Sequence, residues 1–169
     1  YDPQLKRDRI AVFLKGVDFK LYEGDIRDAK LVDKIFEEET IEKVVHLAAM
    51  AGVRYSIQDP LLYADVNVNG TLVLLEAARK HAVRNFVYAS SSSVYGGNEK
   101  VPFAESDSVD ALVSPYAASK KANELFAHVW SHLYGLPTIG LRFFTVYGPW
   151  GRPDMALFNF TKNIFEGRP

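Results

Sequence analysis

The sequence contains no cysteine, and its positive and negative charges nearly cancel. Without cysteine, a disulfide framework, a cysteine nucleophile and a thiolate metal site are excluded. The 20 Lys and Arg residues against 21 Asp and Glu residues give a formal net charge of −1, which provides no general attraction to nucleic acid or acidic membranes. No apolar run approaches the roughly 20 residues of a membrane-spanning helix, and no His, Asp and Glu residues have metal-site spacing. We therefore expect no nucleic acid, membrane or metal as partner, and a cytoplasmic location.

The composition that remains is typical of a globular domain. Of 169 residues, 48% are hydrophobic and 24% are charged, which supplies enough apolar side chains for a buried core. Apolar runs predict strands at 19–22, 43–47, 85–90 and 138–143, and amphipathic stretches predict helices after Asp28, from 60 to about 81, from 115 to 133, and over 155–165. The caps Asp59-Pro60 and Ser114-Pro115 favour two of these helix starts. The alternation predicts an α/β fold with a doubly wound parallel sheet, covered on both faces.

Tyr116 and Lys120 carry the strongest chemical signal in the sequence. Because they are four residues apart on a predicted helix, they lie on one face, one turn from each other. A phenol with an ordinary pKa of about 10 is a poor base at neutral pH, but a neighbouring ammonium group favours the phenolate. The pair therefore indicates a general acid–base group. The alternative is a surface lysine near a packed tyrosine, and the bare spacing does not decide between the two.

A run of four serines, Ser90 to Ser93, directly follows a predicted strand. A hydroxyl there can bind both a substrate hydroxyl and the Tyr116 oxygen, and so relay a proton; the alternative is a polar turn that caps the strand. Because ligands of doubly wound sheets bind at the carboxyl ends of the strands, the serines and the Tyr116–Lys120 pair are predicted to share one site. His46, inside an apolar strand, is interpreted as a satisfied core histidine rather than a catalytic one.

Six motifs follow one another along nearly the whole chain, at 24–28, 46–49, 67–71, 90–96, 114–120 and 141–149. Taken together, the series resembles the extended short-chain dehydrogenase/reductase family, and within it the nucleotide-sugar epimerases. The resemblance implies a Rossmann-like fold with NAD as its cofactor. It implies that the cofactor-binding residues are Asp25, Ile26, Leu47, Ala48, Ala49, Ala51, Asn67, Tyr116, Lys120 and Phe144. Tyr116 would be the catalytic base, Lys120 would hold the nicotinamide ribose and favour the phenolate, and Ser91 would be the hydroxyl partner.

The segments 1–6, 52–56 and 149–155 most resemble UDP-glucuronate 4-epimerases. The resemblance implies conversion of UDP-glucuronate to UDP-galacturonate by C4 oxidation, rotation of the 4-keto sugar and re-reduction, in a homodimer. Hydroxyl groups and a cation hold a sugar carboxylate well, and the implied substrate-binding residues are Ser91, Ser92, Ser93, Thr145, Arg152 and Arg54. Either arginine could instead be a solvated surface charge.

Three other interpretations stay open. A UDP-glucose/galactose 4-epimerase would share the same central residues. A sugar 4,6-dehydratase would carry an Asp-Glu pair after the catalytic hydroxyl, where this chain has Ser92 and Ser93, which argues against dehydration. A non-catalytic cofactor-sensing protein could use the same fold, although the intact Ser91, Tyr116 and Lys120 disfavour it.

The glycine-rich strand–turn–helix that cradles a dinucleotide diphosphate is not found in the sequence. We therefore expect the chain to lack the first βαβ unit and to be an internal portion of a longer protein, which alone would bind NAD poorly. Residues 1–148 are assigned to the NAD-binding domain and residues 149–169 to the beginning of a small substrate-binding region.

Overall fold

The computed structural model describes residues 1–168; Pro169, the last residue of the predicted substrate region, lies outside the described residues. The described chain divides into a larger unit, Glu23–Phe144, and a smaller unit that joins Tyr1–Tyr22 to the chain from Thr145 onward. The predicted boundary between residues 148 and 149 stays a prediction.

The larger unit is built on a parallel sheet. Within the described residues its strands are β1 (Lys43–His46), β2 (Asn85–Ser91) and β3 (Thr138–Phe143), in the order β1-β2-β3. Both pairs are parallel, and Val45, Val87 and Ile139 stand in one row. The predicted α/β fold with a parallel sheet is confirmed. The strand predicted at 19–22 is wrong: this segment is irregular, because no described strand pairs with it to form a ladder.

The helices precede and follow the strands in alternation. The α-helices of the described residues are α1 (Gln4–Phe13), α2 (Ala29–Glu38), α3 (Val53–Gln58), α4 (Pro60–Tyr63), α5 (Gly70–Lys80), α6 (Pro115–Tyr134) and α7 (Ala156–Phe165). The helix predicted over 60–81 is interrupted by a π-helical turn, Ala64–Asn69, and a 3₁₀ turn, Ser92–Tyr95, follows β2. Of these helices, α1 and α3 were not predicted from the sequence. Within residues 1–168 no helix has both the length and the apolar character of a membrane span.

The predicted helix caps are present. Asp28 accepts hydrogen bonds from the backbone N–H groups of Lys30 and Leu31, and Asp59 accepts one from Leu62, each at 3.1 Å. Gly135 ends α6 with a left-handed φ of 67°, which costs a glycine little. The side chains of Asp28 and Asp59 thus satisfy first-turn N–H groups that have no partner within the helix.

The core lies on one face of the sheet. Phe86 and Tyr88 of β2 are buried there with apolar residues of the covering helices, namely Val32, Phe36, Leu75, Ala77, Ala78 and Ala127, and with Val83 and Leu136. The opposite face was predicted to be covered as well. Among the described residues it is open, since Val45 is 65% exposed and Ile139 is 52% exposed.

The smaller unit contains α1 and α7. The rings of Phe13 and Trp150 pack edge to face with centroids 6.1 Å apart. The Arg9 Nε donates to the Trp150 carbonyl oxygen at 2.9 Å. These contacts hold α1 to the segment that precedes α7.

Candidate active site

Tyr116 and Lys120 lie in the first two turns of α6. Ser114 caps this helix, its Oγ accepting the Ala117 N–H at 3.1 Å, and Pro115 occupies the first helical position. The Lys120 Nζ lies 6.0 Å from the centroid of the Tyr116 ring. The spacing of the two residues therefore places an ammonium group beside the half-buried phenol, as the sequence predicts.

Lys120 ties α6 to the central strand. Its side chain is buried, and its Nζ donates to the Ala89 carbonyl oxygen at 2.8 Å. Burial lowers the pKa of Lys120 to about 8, because the ammonium form loses its hydration. An ammonium group has three donors, so the Ala89 bond fixes the position of Nζ and leaves two donors for other acceptors.

Ser91 is the last residue of β2, two residues after Ala89. It is buried, and its Oγ accepts the Ser93 N–H at 3.1 Å as the chain enters the 3₁₀ turn. The hydroxyl proton is not used by this bond, so a capping role and a proton-relay role are compatible. Because Lys120 binds β2 within two residues of Ser91, the predicted catalytic groups share the carboxyl end of the sheet. Ser92 and Ser93 follow and are half-buried.

Asn67 holds the loop after β1. Its side chain is 1% exposed, which excludes a solvated helix face. Its Oδ1 accepts the Met50 N–H at 2.8 Å, and its Nδ2 donates to the Met50 carbonyl oxygen at 3.0 Å and to the Ser119 Oγ at 2.9 Å. Tyr63 adds a bond from its hydroxyl to the Ala51 carbonyl oxygen at 2.9 Å. The rest of the predicted cofactor loop is irregular, with Leu47 and Ala48 exposed and Ala49 half-buried.

Asp25 and Ile26 are held by ion pairs and close packing. The carboxylate of Asp25 accepts from Arg27 Nη2 at 2.6 Å, which lowers the pKa of Asp25 to about 2. Arg27 also reaches Asp65 at 2.5 Å. Gly70 allows Ile26 to pack against the start of α5, since a Cβ there would lie 2.5 Å from Ile26 Cδ1. The carboxylate of Asp25 is thus anionic and exposed to solvent on a fixed backbone.

A half-buried ion pair braces the same end of the sheet. Glu124 of α6 accepts from Arg142 of β3 through two bonds of 2.9 Å, and from the Ser90 hydroxyl at 2.6 Å. We call Ser90, Glu124 and Arg142 the clamp. The guanidinium of Arg142 lies 5.0 Å from the Tyr95 ring centroid. Just beyond β3, the Phe144 ring is stacked 6.2 Å from the Phe103 ring.

The remaining predicted residues lie elsewhere. Arg54 is exposed on α3. Thr145 and Arg152 belong to the smaller unit, where both Arg152 Nε and Nη2 donate to Asp154, the shorter bond at 2.5 Å. Across residues 1–168 no three His, Asp or Glu side chains are grouped as metal ligands.

A family model described as GDP-mannose 4,6 dehydratase matches residues 5–167. The chain belongs to this family. A relative from Arabidopsis thaliana, UDP-glucuronate 4-epimerase 1, is 53% identical over an alignment 170 residues long, which covers 100% of this chain and 39% of the relative. The predicted resemblance to nucleotide-sugar epimerases is confirmed.

Solved structures share the fold. UDP-glucuronic acid 4-epimerase from Bacillus cereus, in complex with UDP-glucuronic acid and NAD, has a TM-score of 0.87 and 35% identity over 98% of this chain and 52% of its own. A dTDP-glucose 4,6-dehydratase from Streptomyces venezuelae, with NAD bound, has a TM-score of 0.87 and 32% identity over 95% of this chain and 49% of its own. The chain spans about half the length, or less, of these relatives. The Rossmann-like fold of the family is therefore confirmed.

Several residues that support the candidate site were not predicted from the sequence. Ser119 stands inside the motif that contains Tyr116 and Lys120, and its position one residue before Lys120 was a usable signal. Glu124 stands four residues after Lys120, on the same face of α6. The partners Met50 and Arg27 act through backbone and long-range contacts, which one sequence does not reveal.

Proposed function

We propose that the full-length protein is an NAD-dependent nucleotide-sugar 4-epimerase that converts UDP-glucuronate to UDP-galacturonate. The observation that carries the proposal is Lys120, which is buried beside Tyr116 and bonded to β2 two residues before Ser91. This arrangement supplies a base, a cation and a hydroxyl at one end of a parallel sheet, where ligands of such sheets bind. The similarity to UDP-glucuronate 4-epimerases over the whole chain supports the substrate.

The residues present fit NAD as the cofactor. Lys120 has donors left for ribose hydroxyls, the loop of small alanines permits close approach, and the anionic Asp25 can accept from an adenine amino group. When bound, NAD supplies reversible acceptance of a hydride. We assign its contacts to Asp25, Ile26, Lys120, Phe144 and the loop held by Asn67.

In the proposed mechanism Tyr116 takes the proton of the sugar C4 hydroxyl as C4 is oxidised. Lys120 stabilises the phenolate by its charge, and the Ser91 hydroxyl holds the sugar oxygen. After the 4-keto sugar has rotated, Tyr116 returns the proton to the C4 oxygen on reduction of the opposite face. The chain thus needs one acid–base group for both halves of the reaction.

The carboxylate of the sugar requires its own contacts, because a 4-keto glucuronate is a β-keto acid that decarboxylates if its carboxylate is poorly held. We assign this role to Ser92, Ser93 and Thr145, whose hydroxyls can donate to it. Arg152 and Arg54 are further candidates; the bond of Arg152 to Asp154 already satisfies part of its guanidinium.

The second candidate is a sugar 4,6-dehydratase, which the description of the family model and the similarity to a dehydratase structure favour. Ser92 and Ser93 disfavour it, since a hydroxyl is a poorer acid or base than a carboxyl group for eliminating water. A homodimer in the cytoplasm completes the proposal. The exposed apolar residues Leu125, Val129 and Leu133 on one face of α6 support the dimer.

The test is to incubate the full-length protein with UDP-glucuronate, UDP-glucose, UDP-galactose or GDP-mannose and to separate the products by chromatography. We expect UDP-glucuronate to be converted to UDP-galacturonate and the other three nucleotide sugars to stay unchanged. Conversion of only the neutral UDP-sugars would overturn the substrate, and a 4-keto-6-deoxy product would establish the dehydratase. Cell fractionation tests the cytoplasmic location.

A further inference from the structure

A chain of buried hydrogen bonds runs beneath the candidate site from β1 to α6. His46, at the end of β1, is 6% exposed, and its Nε2 lies 3.0 Å from the Thr71 Oγ1. Thr71, on the first turn of α5, is 1% exposed, and its hydroxyl donates to the Asn67 carbonyl oxygen at 2.6 Å. The side chain of Asn67 continues to Ser119, whose hydroxyl donates to the Tyr116 carbonyl oxygen at 2.8 Å.

The direction of the first bonds follows from counting protons. A threonine hydroxyl has one proton, and Thr71 gives it to the Asn67 carbonyl. Thr71 must therefore accept from His46, so His46 carries its proton on Nε2. Burial, with a smaller contribution from the nearby Lys120 charge, lowers the pKa of His46 to about 4. The imidazole is therefore neutral at neutral pH, with Nδ1 unprotonated.

The opposite tautomer would break the arrangement. With the proton on Nδ1, the Nε2 of His46 could only accept, and Thr71 would have to turn its proton away from the Asn67 carbonyl. That carbonyl belongs to the π-helical turn between α4 and α5. Without the bond from Thr71, the backbone of Asn67 would be less firmly held. The side-chain amide of Asn67 binds the Met50 N–H, the Met50 carbonyl oxygen and the Ser119 hydroxyl.

We propose that His46 and Thr71 are positioning residues of the proposed epimerase. They fix Asn67 through a neutral imidazole protonated on Nε2, and Asn67 in turn fixes the Met50 loop and the first turn of α6, which carries Tyr116. The inference rests on the proposed function for its effect on turnover. Neither residue touches a reacting atom; both act by holding Tyr116 and the cofactor loop in position.

The first test substitutes Thr71 in the full-length protein. Thr71→Val keeps the shape and removes the hydroxyl, and we expect kcat for UDP-glucuronate to fall on the order of 10- to 100-fold, with KM changed less than about twofold, because small misplacements of a reacting group cost rate. Thr71→Ser, which restores the hydroxyl, should recover most of the loss. Thr138→Val is the matched control, since the Thr138 hydroxyl donates to the carbonyl of Ala127, about two turns beyond Lys120 on α6.

The second test substitutes His46. The amide nitrogen of glutamine reaches the place of Nε2, whereas that of asparagine reaches the place of Nδ1. His46→Gln should therefore retain turnover within about threefold and His46→Asn should lose it like Thr71→Val. This pair also decides the matter if Thr71→Val does not fold, which thermal melting reveals.

Two measurements on the same variants do not depend on turnover. In the wild type, ¹⁵N NMR of the imidazole should show a protonated Nε2 and an unprotonated Nδ1. Hydrogen exchange of the Met50 amide should become about tenfold faster in Thr71→Val, and not in Thr71→Ser or Thr138→Val. If the wild type epimerises no nucleotide sugar, the proposed function is refuted. The positioning role still stands in that case if the NMR spectrum shows the proton on Nε2 and Met50 exchange is faster in Thr71→Val. A proton on Nδ1, or a folded Thr71→Val with unchanged kcat and Met50 exchange, overturns the inference.

Discussion

Lys120 illustrates how burial gives a common side chain a defined role. On an exposed helix a lysine is a mobile, hydrated charge, but here its Nζ is fixed on the Ala89 carbonyl and 97% of the residue's surface is removed from water. Loss of hydration destabilises the ammonium form. Holding a cation beside Tyr116 therefore lowers the stability of the fold.

Tyr116→Phe should lower kcat of the proposed epimerase by about 10²- to 10⁴-fold, because the general acid–base oxygen is removed. The amount of bound NAD should not change, since the aromatic ring remains and only the hydroxyl is lost. Turnover and the absorbance of the bound cofactor measure the two effects. Tyr134→Phe, at the exposed end of the same helix, is the control, and near wild-type activity of Tyr116→Phe would refute the mechanism.

Lys120 should also make stability depend on pH. Its folded pKa of about 8 is below the ordinary value of 10.5, so the unfolded chain binds more protons between these pH values and the contribution of Lys120 to stability rises with pH there. Relative to Lys120→Met, the free energy of unfolding of the wild type should increase by roughly 3 kcal/mol from pH 8 to 10.5, at about 1.4 kcal/mol per pKa unit. Chemical denaturation at several pH values measures the free energy of unfolding of both proteins. A difference between them that does not change with pH would contradict the prediction.

At the scale of elements, the clamp joins two strands to the helix that carries the catalytic pair. Ser90 belongs to β2, Glu124 to α6 and Arg142 to β3, and the side chains of the ion pair are only 13% and 20% exposed. A buried charge that loses its partner is costly, whereas an exposed pair contributes little. The clamp therefore matters more for stability than the ion pairs on the surface.

Glu124→Ala should lower the free energy of unfolding by roughly 2–4 kcal/mol, because Arg142 and Ser90 lose their acceptor where water can only partly replace it. Glu124→Gln keeps an acceptor oxygen and should lose less. The control is Glu42→Ala, which breaks the exposed Glu42–Arg84 pair of 3.6 Å and should change the value by less than about 0.5 kcal/mol. Equal losses for Glu124→Ala and Glu42→Ala, measured by urea denaturation, would show that the clamp is no better shielded from water than the surface pair.

At the scale of the whole molecule, apolar surface is concentrated in places that the described residues leave open. Val45, Ile139 and Leu141 line the uncovered face of the sheet, and Leu125 and Leu133 stand on α6. Exposed apolar groups in rows mark surfaces that other protein segments cover. Of these, the α6 row supports the proposed dimer.

Leu133→Glu should convert the proposed dimer of the full-length protein into a monomer, because a desolvated carboxylate at the interface is unfavourable. Sedimentation velocity measures the mass. Val113→Glu introduces the same charge at an apolar residue that is 71% exposed in a loop and should leave the mass unchanged. A monomeric wild type would contradict the proposal directly.

Local signals in the sequence determined the fold class and the central residues of the candidate site. Three strands, the caps at Asp28, Asp59 and Ser114, and the Tyr116–Lys120 spacing depend on neighbours within a few residues, so periodicity and capping rules recover them. The strand expected at 19–22 failed because a strand needs a partner, and no local signal reports whether one exists.

Tertiary structure alone decided which groups are buried and which pair. The sequence shows His46, Asn67 and Ser119 as separate polar residues, 21 and 52 positions apart along the chain. Folding brings them into one dry chain of hydrogen bonds, where each donor must find an acceptor because water is not available to replace it. That requirement assigns the proton of His46 and the orientation of Asn67, and it acts only once the strands and helices have packed.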